Sequence, residues 1–267
     1  MSAASPALAL TIAGSDPSGG AGIQADLKTF AAARVHGTTV LTLVTAQNTR
    51  GVTAVEMIPF EAVVAQFHAV MEDLPPNAAK TGALGSVEMI DVVSTLLKER
   101  PIPNLVVDPV MISKHGVPLL SEEGGRRIRD RLLPQALIVT PNRFEAAALT
   151  GMSEVESVSD MKEAARRLYD CGVANVVVKG GHFEKVARDI FFDGTGFVEF
   201  GADRVDSDRV HGSGCTFSAA LVARLAHGEG LLESLVFARE FISAAIAKAP
   251  SVGGGISPVH PLHAFWS

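Results

Sequence analysis

Cysteine is scarce in this sequence of 267 residues: Cys171 and Cys215 stand far apart and form no CxxC pair. Disulfide scaffolds and cysteine zinc sites use several cysteines at short, regular spacings, so the sequence excludes both. Cys171 falls on the apolar face of a predicted helix, and we interpret it as an inert core residue. Cys215 follows a glycine-rich turn, where it is either a small buried residue at a helix start or a chemically active thiol, and we favour the active thiol.

Charge is also limited, because only 19% of the residues are charged and the net charge is -6, with no stripe of lysine and arginine. Nucleic-acid-binding proteins need such a basic surface, so we expect no nucleic-acid partner. No apolar run reaches the roughly 18 residues of a membrane helix. The first six residues lack the basic region of a signal peptide. We therefore expect a cytoplasmic protein with no membrane association.

Hydrophobic residues, by contrast, make up 47% of the chain, which is enough for an ample core. Predicted strands and helices alternate, with a hairpin around Asp193-Gly194. The strands are 7–13, 38–45, 78–82, 105–110, 137–140 and 176–182, the hairpin is 189–200, and the helices are 21–33, 60–73, 86–99, 159–171, 214–227 and 231–248. Strands that are apolar on both faces and alternate with helices predict an α/β fold with a mostly parallel sheet. No linker or repeat divides residues 1–267, so we predict a single domain.

The most informative segment is 210–221 (VHGSGCTFSAAL), in which a glycine-rich turn runs directly into a helix. The N–H groups near Gly212, Ser213 and Gly214, together with the positive end of the helix dipole, suit a phosphate group. A helix start also lowers the pKa of a cysteine thiol. We therefore expect Cys215 to tend toward the thiolate and to act as a base or nucleophile beside a bound phosphate.

Polar residues at the ends of three other predicted strands are candidates for binding phosphate or metal. Asp108 ends a buried strand, where a carboxylate without a partner is costly. Asn142 and Glu145 match a capping box, and Glu145 with Asp108 also suits Mg²⁺, which takes few protein ligands. Lys179 is placed to approach nucleotide phosphates or simply to face solvent.

Two residues nearer the N-terminus are candidates for binding a substrate. Asp26 lies in the first turn of a predicted helix, where it either holds a substrate group or favours the helix dipole. Gln47 follows a buried strand and offers both a donor and an acceptor. Such an amide suits the edge of an amino-substituted heterocycle, or it bonds the backbone of its own loop.

Together these segments closely resemble the bacterial hydroxymethylpyrimidine/phosphomethylpyrimidine kinases of thiamine biosynthesis. The resemblance runs nearly from end to end and rests on residues 10–30, 46–52, 107–111, 140–142, 179–182, 211–216 and 255–260. It implies a ribokinase-like three-layer fold, ATP and Mg²⁺ as cofactors, and a homodimer. It also implies two successive phosphorylations of a small pyrimidine, 4-amino-5-hydroxymethyl-2-methylpyrimidine: first of its alcohol and then of the monophosphate.

The resemblance also implies a role for each candidate residue. It makes Cys215 the catalytic base beside an anion hole at residues 212–214, and it divides the other residues among substrate, nucleotide and metal. The substrate residues are Gln47, Gly14, Asp26 and Val110, the nucleotide residues are Lys179, Asn142 and His211, and the metal residues are Asp108 and Glu145. Ala83 departs from the pattern, since many relatives have a methionine there beside the pyrimidine.

Other functions stay open at this point. A pyridoxal/pyridoxine kinase shares the Gly-x-Gly-Cys turn, although residues 47–50 favour the pyrimidine branch. A nicotinamide-dependent oxidoreductase on a doubly wound sheet would lack its usual GxGxxG fingerprint here. A thiolate hydrolase would use Cys215 as nucleophile, with His182 or His211 as a candidate base. A regulatory binding protein without activity is the remaining alternative.

Overall fold

The computed structural model describes residues 5–111, 119–180, 186–203 and 205–265. Within them, strands and helices alternate along most of the chain. The strands are β1 (Leu8–Ser15), β2 (His36–Asn48), β3 (Gly51–Met57), β4 (Ala78–Thr81), β5 (Leu105–Val107), β6 (Ile138–Val139), β7 (Val176–Lys179), β8 (Val186–Phe192) and β9 (Phe197–Asp203). The helices are α1 (Gly22–Ala32), α2 (Phe60–Asp73), α3 (Val87–Glu99), α4 (Glu122–Arg127), α5 (Arg143–Thr150), α6 (Val158–Tyr169), α7 (Ser213–Ala226) and α8 (Leu231–Ala247).

The strands form one sheet in the order β3-β2-β1-β4-β5-β6-β7-β8-β9. The central pairs, from β2–β1 through β6–β7, are parallel. The outer pairs β2–β3, β7–β8 and β8–β9 are antiparallel. The hairpin predicted around Asp193-Gly194 is confirmed as β8 and β9. The expected mostly parallel sheet is confirmed as well.

Helices cover both faces of the sheet, because neighbouring residues of each buried strand point to opposite sides. Val106 of β5 packs in a cluster with Phe30 of α1 and Leu221 of α7. Its neighbour Val107 packs in a second cluster with Phe67 of α2 and Leu168 of α6. The chain therefore has three layers, and the apolar runs of the sequence reflect strands that are buried on both faces.

The helix ends follow local sequence rules. Ser86, predicted to cap α3, accepts a hydrogen bond from the Met89 N–H at 3.1 Å. Asn142 and Glu145 form the predicted capping box at the start of α5. In the described part of the chain, no helix is long and apolar enough to cross a membrane.

Among the described elements, β3 and α4 lie outside every predicted strand and helix, and only the capped start of α5 was predicted. Residues 53–57 of the edge strand β3 are all exposed, so no buried apolar face marks them as a strand. Helix α4 contains Gly124 and Gly125, which are poor helix formers. It continues as a π-helical turn and a 3-10 turn to residue 135. Tertiary packing rather than local pattern therefore determines both elements.

Candidate active site

A cavity of about 580 Å³ opens at the carboxyl ends of the parallel strands, where ligands bind in open α/β sheets. All the predicted site residues except Asp26 line it. They are Gly14, Gln47, Asp108, Val110, Asn142, Glu145, Lys179, His211, Gly212, Ser213, Gly214 and Cys215. The sheet thus brings residues from six separate segments of the chain to one place, as expected from their positions at or after the ends of predicted strands.

The start of α7 forms the anion-binding part of the cavity. Gly212 caps the helix with a left-handed backbone (φ 75°), and a side chain there would overlap the Gly20 carbonyl oxygen. The Ser213 N–H donates to the Val210 carbonyl at 3.2 Å. The N–H groups of Gly214 and Cys215 come next in the first turn, before the intrahelical hydrogen bonds begin at Thr216. The helix start therefore offers an anion the N–H groups of residues 214 and 215, slightly later in the chain than expected.

Lys179 and Asp108 lie directly beside this helix start. Lys179 Nζ is 3.4 Å from Asp108 Oδ1, and the Ser218 hydroxyl donates to Asp108 Oδ2 at 2.9 Å. A Cβ atom on Gly214 would lie 3.5 Å from Lys179 Nζ and 4.0 Å from Asp108 Oδ2. Burial alone would raise the pKa of Asp108. The charges of Lys179 and Lys80 and the hydrogen bond from the Ser218 hydroxyl outweigh burial, so the pKa lies below its ordinary value. The site therefore combines an ionised carboxylate, a cation and an anion-binding helix start.

The position of Glu145 is compatible with both roles considered from the sequence, the capping box and the binding of Mg²⁺. Its Oε2 accepts the Asn142 N–H at 2.8 Å, which closes the capping box. Burial raises its pKa to about 7, and the charge of Asp108 adds to the rise, while Lys179 lowers it. A carboxylate pair with oxygen ligands only suits Mg²⁺, which needs few protein ligands. Among the described residues there is no cluster of three or more His, Cys, Asp or Glu that could hold a metal.

The raised pKa of Glu145 predicts a specific dependence of stability on pH. The folded carboxyl keeps its proton up to pH about 7, whereas its ordinary pKa is 4.5, so folding is favoured at low pH and this contribution is lost as pH rises. Between pH 4.5 and 7 the free energy of unfolding should fall by about 3 kcal/mol from this group alone. Urea unfolding in EDTA measures it against Glu145→Gln, which should lack this component. Parallel pH profiles for the two proteins would contradict the prediction.

On the substrate side, His211 contacts Gln47 and a residue that sequence reasoning missed, Asp16. His211 Nε2 lies 2.8 Å from Asp16 Oδ2 and 3.1 Å from the Gln47 amide nitrogen. We expected His211 beside the nucleotide, but its buried ring contacts Gln47, one of the predicted substrate residues. The available signal was the position of Asp16 in the turn after β1, beside Gly14.

Asp26 does not line the cavity, so its prediction as a substrate residue is not supported by its position. Its side chain is 0% exposed, and its Oδ1 lies 2.8 Å from the equally buried Lys80 Nζ. The Thr11 hydroxyl donates to Asp26 Oδ2 at 2.7 Å. Lys80, a lysine inside the apolar strand β4, was the sequence signal for this pair. The pair still influences the site electrostatically, because the charge of Lys80 lowers the pKa of Cys215 and the charge of Asp26 raises it.

The expected thiolate character of Cys215 is wrong. Burial raises the pKa of this thiol to about 12, and the charges of Asp26 and Asp108 raise it further. Lys80 and the Gly22 N–H lower it without offsetting the rise. Cys215 is therefore a thiol at neutral pH, which removes the basis for a thiolate hydrolase. His182, one candidate base for that reaction, lies outside the described residues.

Comparison with known proteins places the chain in a family. A family model described as phosphomethylpyrimidine kinase matches residues 16–260. The chain belongs to this family. It is 45% identical to the hydroxymethylpyrimidine/phosphomethylpyrimidine kinase of Rhizobium meliloti (strain 1021) over 97% of this chain and 98% of that protein.

Two solved structures are similar to this phosphomethylpyrimidine kinase family member over nearly their whole length. One is an ADP complex of Bacillus subtilis pyridoxal kinase, with a TM-score of 0.92 and 38% identity over 97% of this chain and 99% of that one. The other is phosphomethylpyrimidine kinase from Clostridium difficile 630, with a TM-score of 0.79 and 42% identity over 90% of this chain and 99% of that one. The ribokinase-like fold expected from the sequence is confirmed.

Further cavity residues of this family member were not found from the sequence. Arg239 of α8 lies 3.2 Å from the buried Asp189 of β8, and Ile242 and Ile246 follow on the same helix. Their positions late in an apolar helix give no local sign of a site. Cys171 packs against the core and donates to the Arg167 carbonyl at 3.3 Å, in agreement with its interpretation as a structural residue.

Proposed function

We propose that this protein is an ATP-dependent kinase of thiamine biosynthesis. It phosphorylates 4-amino-5-hydroxymethyl-2-methylpyrimidine to the monophosphate and then to the diphosphate. The observation that carries this proposal is the single cavity in which the helix start at Gly214, the cation Lys179, the carboxylate Asp108 and the heterocycle-reading amide of Gln47 meet. Membership of the phosphomethylpyrimidine kinase family supports it.

Phosphoryl transfer depends mainly on positioning and on neutralising the charge of the moving group. The N–H groups of Gly214 and Cys215 and the ammonium of Lys179 lie together at one side of the cavity and suit this task. Asp108 and Glu145 would hold Mg²⁺, which when bound neutralises charge on the nucleotide phosphates. Asn142 keeps the Glu145 carboxylate in place through the capping box.

The acceptor side of the cavity suits a small flat heterocycle. Gly14 leaves room beside Leu43, since a Cβ atom on Gly14 would overlap that side chain. Val110 and Ala83 add apolar wall, and Gln47 provides the polar contact. We propose that Cys215 accepts the proton of the alcohol in the first transfer, through the small fraction of the thiol that is ionised. The second transfer needs no such base, because a phosphate acceptor is already ionised.

A pyridoxal kinase is the second candidate, because the small side chain of Ala83 in the cavity wall leaves room for a different ring. The similarity to a pyridoxal kinase structure is in line with it. Pyridoxal also carries a hydroxymethyl group on a heteroaromatic ring, so the same phosphate machinery would serve both substrates. The pyrimidine remains the better-supported substrate.

The proposal is tested by incubating the protein with Mg-ATP and the hydroxymethylpyrimidine, with pyridoxal in a parallel tube, and following the products by mass spectrometry. We expect the monophosphate first and the diphosphate later. A sample without ATP controls for contaminating phosphate donors. Phosphorylation of pyridoxal alone would contradict the proposal and favour the second candidate.

We further propose that the enzyme works with Mg²⁺ as a cytoplasmic homodimer. The edge strand β3 supports a subunit contact, because Val55 and Met57 are 39% and 37% exposed on it. Both lie on the face of the sheet that carries Leu43 and Thr45, their partners on β2. A second copy of the chain would remove these apolar side chains from water.

A further inference from the structure

One nitrogen of His211 contacts two different polar groups. Its Nε2 lies 2.8 Å from Asp16 Oδ2 and 3.1 Å from the amide nitrogen of Gln47, and the ring is only 3% exposed. A carboxylate accepts hydrogen bonds and donates none. Nε2 must therefore carry a proton that it donates to Asp16, and it has no lone pair left to accept a hydrogen bond from Gln47.

This constraint determines how the Gln47 amide is turned. With its NH₂ group toward His211, two donors would face each other. The oxygen and nitrogen ends of an amide have nearly the same shape, so the hydrogen-bond network decides between them. Turned by 180°, the Gln47 oxygen shares the His211 Nε2–H with Asp16 in a bifurcated hydrogen bond, and the NH₂ group becomes available to the cavity. Among the described residues, no other side-chain hydrogen bond of the Gln47 amide favours the opposite orientation.

Asp16 is held firmly enough to impose this arrangement. Its carboxylate accepts the N–H and the hydroxyl of Ser18, each at 2.9 Å, and the Ala21 N–H at 2.8 Å. Burial raises the pKa of Asp16, but the hydrogen bonds from His211 and Ser18 lower it overall, so the carboxylate is ionised at neutral pH. Near neutral pH, the ionised Asp16 carboxylate is therefore always available to accept the hydrogen bond from His211.

His211 is equally confined. The backbone N–H of His211 donates to the Ser257 carbonyl at 3.2 Å, and the His211 backbone forms a β-bridge with Pro258. A Cβ atom on Gly20 would overlap the His211 ring, which shows how closely the turn after β1 packs against it. The three side chains come from three separate segments of the chain, and the protein's own contacts hold each of them in place. Such preorganised support is typical of a specificity device.

We propose that Asp16 and His211 are positioning residues that determine substrate specificity. They fix the Gln47 amide with its NH₂ group toward the cavity, so that the site selects heterocycles presenting an unprotonated ring nitrogen as acceptor. The inference rests on the proposed kinase function and deepens it. A ring whose corresponding nitrogen carries a hydrogen leaves two donors facing each other, which a buried polar site rejects strongly.

The test compares the 4-amino pyrimidine with its 4-oxo analogue, whose ring nitrogen carries a hydrogen. The measured quantity is the ratio of the two kcat/KM values. We expect the wild type to prefer the 4-amino compound by about 100-fold or more. His211→Phe keeps a ring but loses the donor, so the preference should fall below about 10-fold, mainly through KM for the pyrimidine, with KM for ATP unchanged.

Two further variants separate orientation from mere packing. His211→Gln retains a donor near the position of Nε2 and should keep most of the preference. In a Gln47→Leu background, His211→Phe should change the ratio no further, because the histidine acts through the amide. An unchanged preference in His211→Phe, or an equal drop with and without Gln47, would overturn the inference.

A last arm leaves Asp16 and His211 intact, in case His211→Phe fails to fold. Gln47→Glu replaces the NH₂ group with an acceptor while its other oxygen still accepts from His211, so the preference should reverse toward the 4-oxo compound. A retained 4-amino preference there would also overturn the inference. Phosphorylation of neither compound by the wild type would instead reject the proposed function, and with it the inference.

Discussion

Replacing Lys80 by methionine is expected to lower the free energy of unfolding by about 3–5 kcal/mol, because it leaves a buried carboxylate without its counter-charge. Lys80 Nζ lies 2.8 Å from Asp26 Oδ1, and both side chains are 0% exposed. Among the described residues, the Thr11 hydroxyl, a neutral donor at 2.7 Å, is what remains to donate to Asp26 in the variant. Urea unfolding followed by circular dichroism measures the loss.

Two controls distinguish this effect from the loss of any lysine. Lys98→Met removes an exposed lysine near the end of α3 and should change stability by less than about 0.5 kcal/mol. The double variant Lys80→Met/Asp26→Leu removes both charges, and it should recover much of the loss, since apolar replacements of buried pairs are often tolerated. An equal loss in Lys80→Met and Lys98→Met would contradict the prediction.

Replacing Cys215 by alanine is expected to slow the first phosphorylation by about 10²- to 10⁴-fold, the usual contribution of a general base. The second phosphorylation should change far less, because its phosphate acceptor has already lost its proton. Single-turnover measurements with the pyrimidine alcohol and with its monophosphate separate the two steps. Both expectations rest on the kinase function proposed above.

The matched control is Cys171→Ala, which removes the other thiol, outside the residues that line the cavity. It should leave both steps unchanged. The pH dependence gives a second check: with a pKa of about 12 for Cys215, only a small thiolate fraction exists at neutral pH, and this fraction grows as pH rises. The first step should therefore accelerate with pH in the wild type and not in Cys215→Ala. Equal losses in the two steps would reject Cys215 as the base.

The location of the site was predictable because strand ends are visible in the sequence. Asp108, Lys179 and Gln47 each follow an apolar, β-branched run, and parallel strands bring such ends to one edge. The capping box at Asn142 is local in sequence and was equally visible. The charge state of Cys215 was not, because the helix start predicts a lowered pKa and only the packed surroundings raise it.

Sequence by itself determined the α/β fold, the succession of central strands and helices, and many of the polar residues that line the cavity. These follow from patterns a few residues long, such as apolar runs, glycine turns and caps. The tertiary structure alone decided that Asp26 pairs with Lys80 and that Asp16 and His211 orient Gln47. Those contacts join residues distant in the chain, and their energies depend on burial and on short distances that no local pattern records.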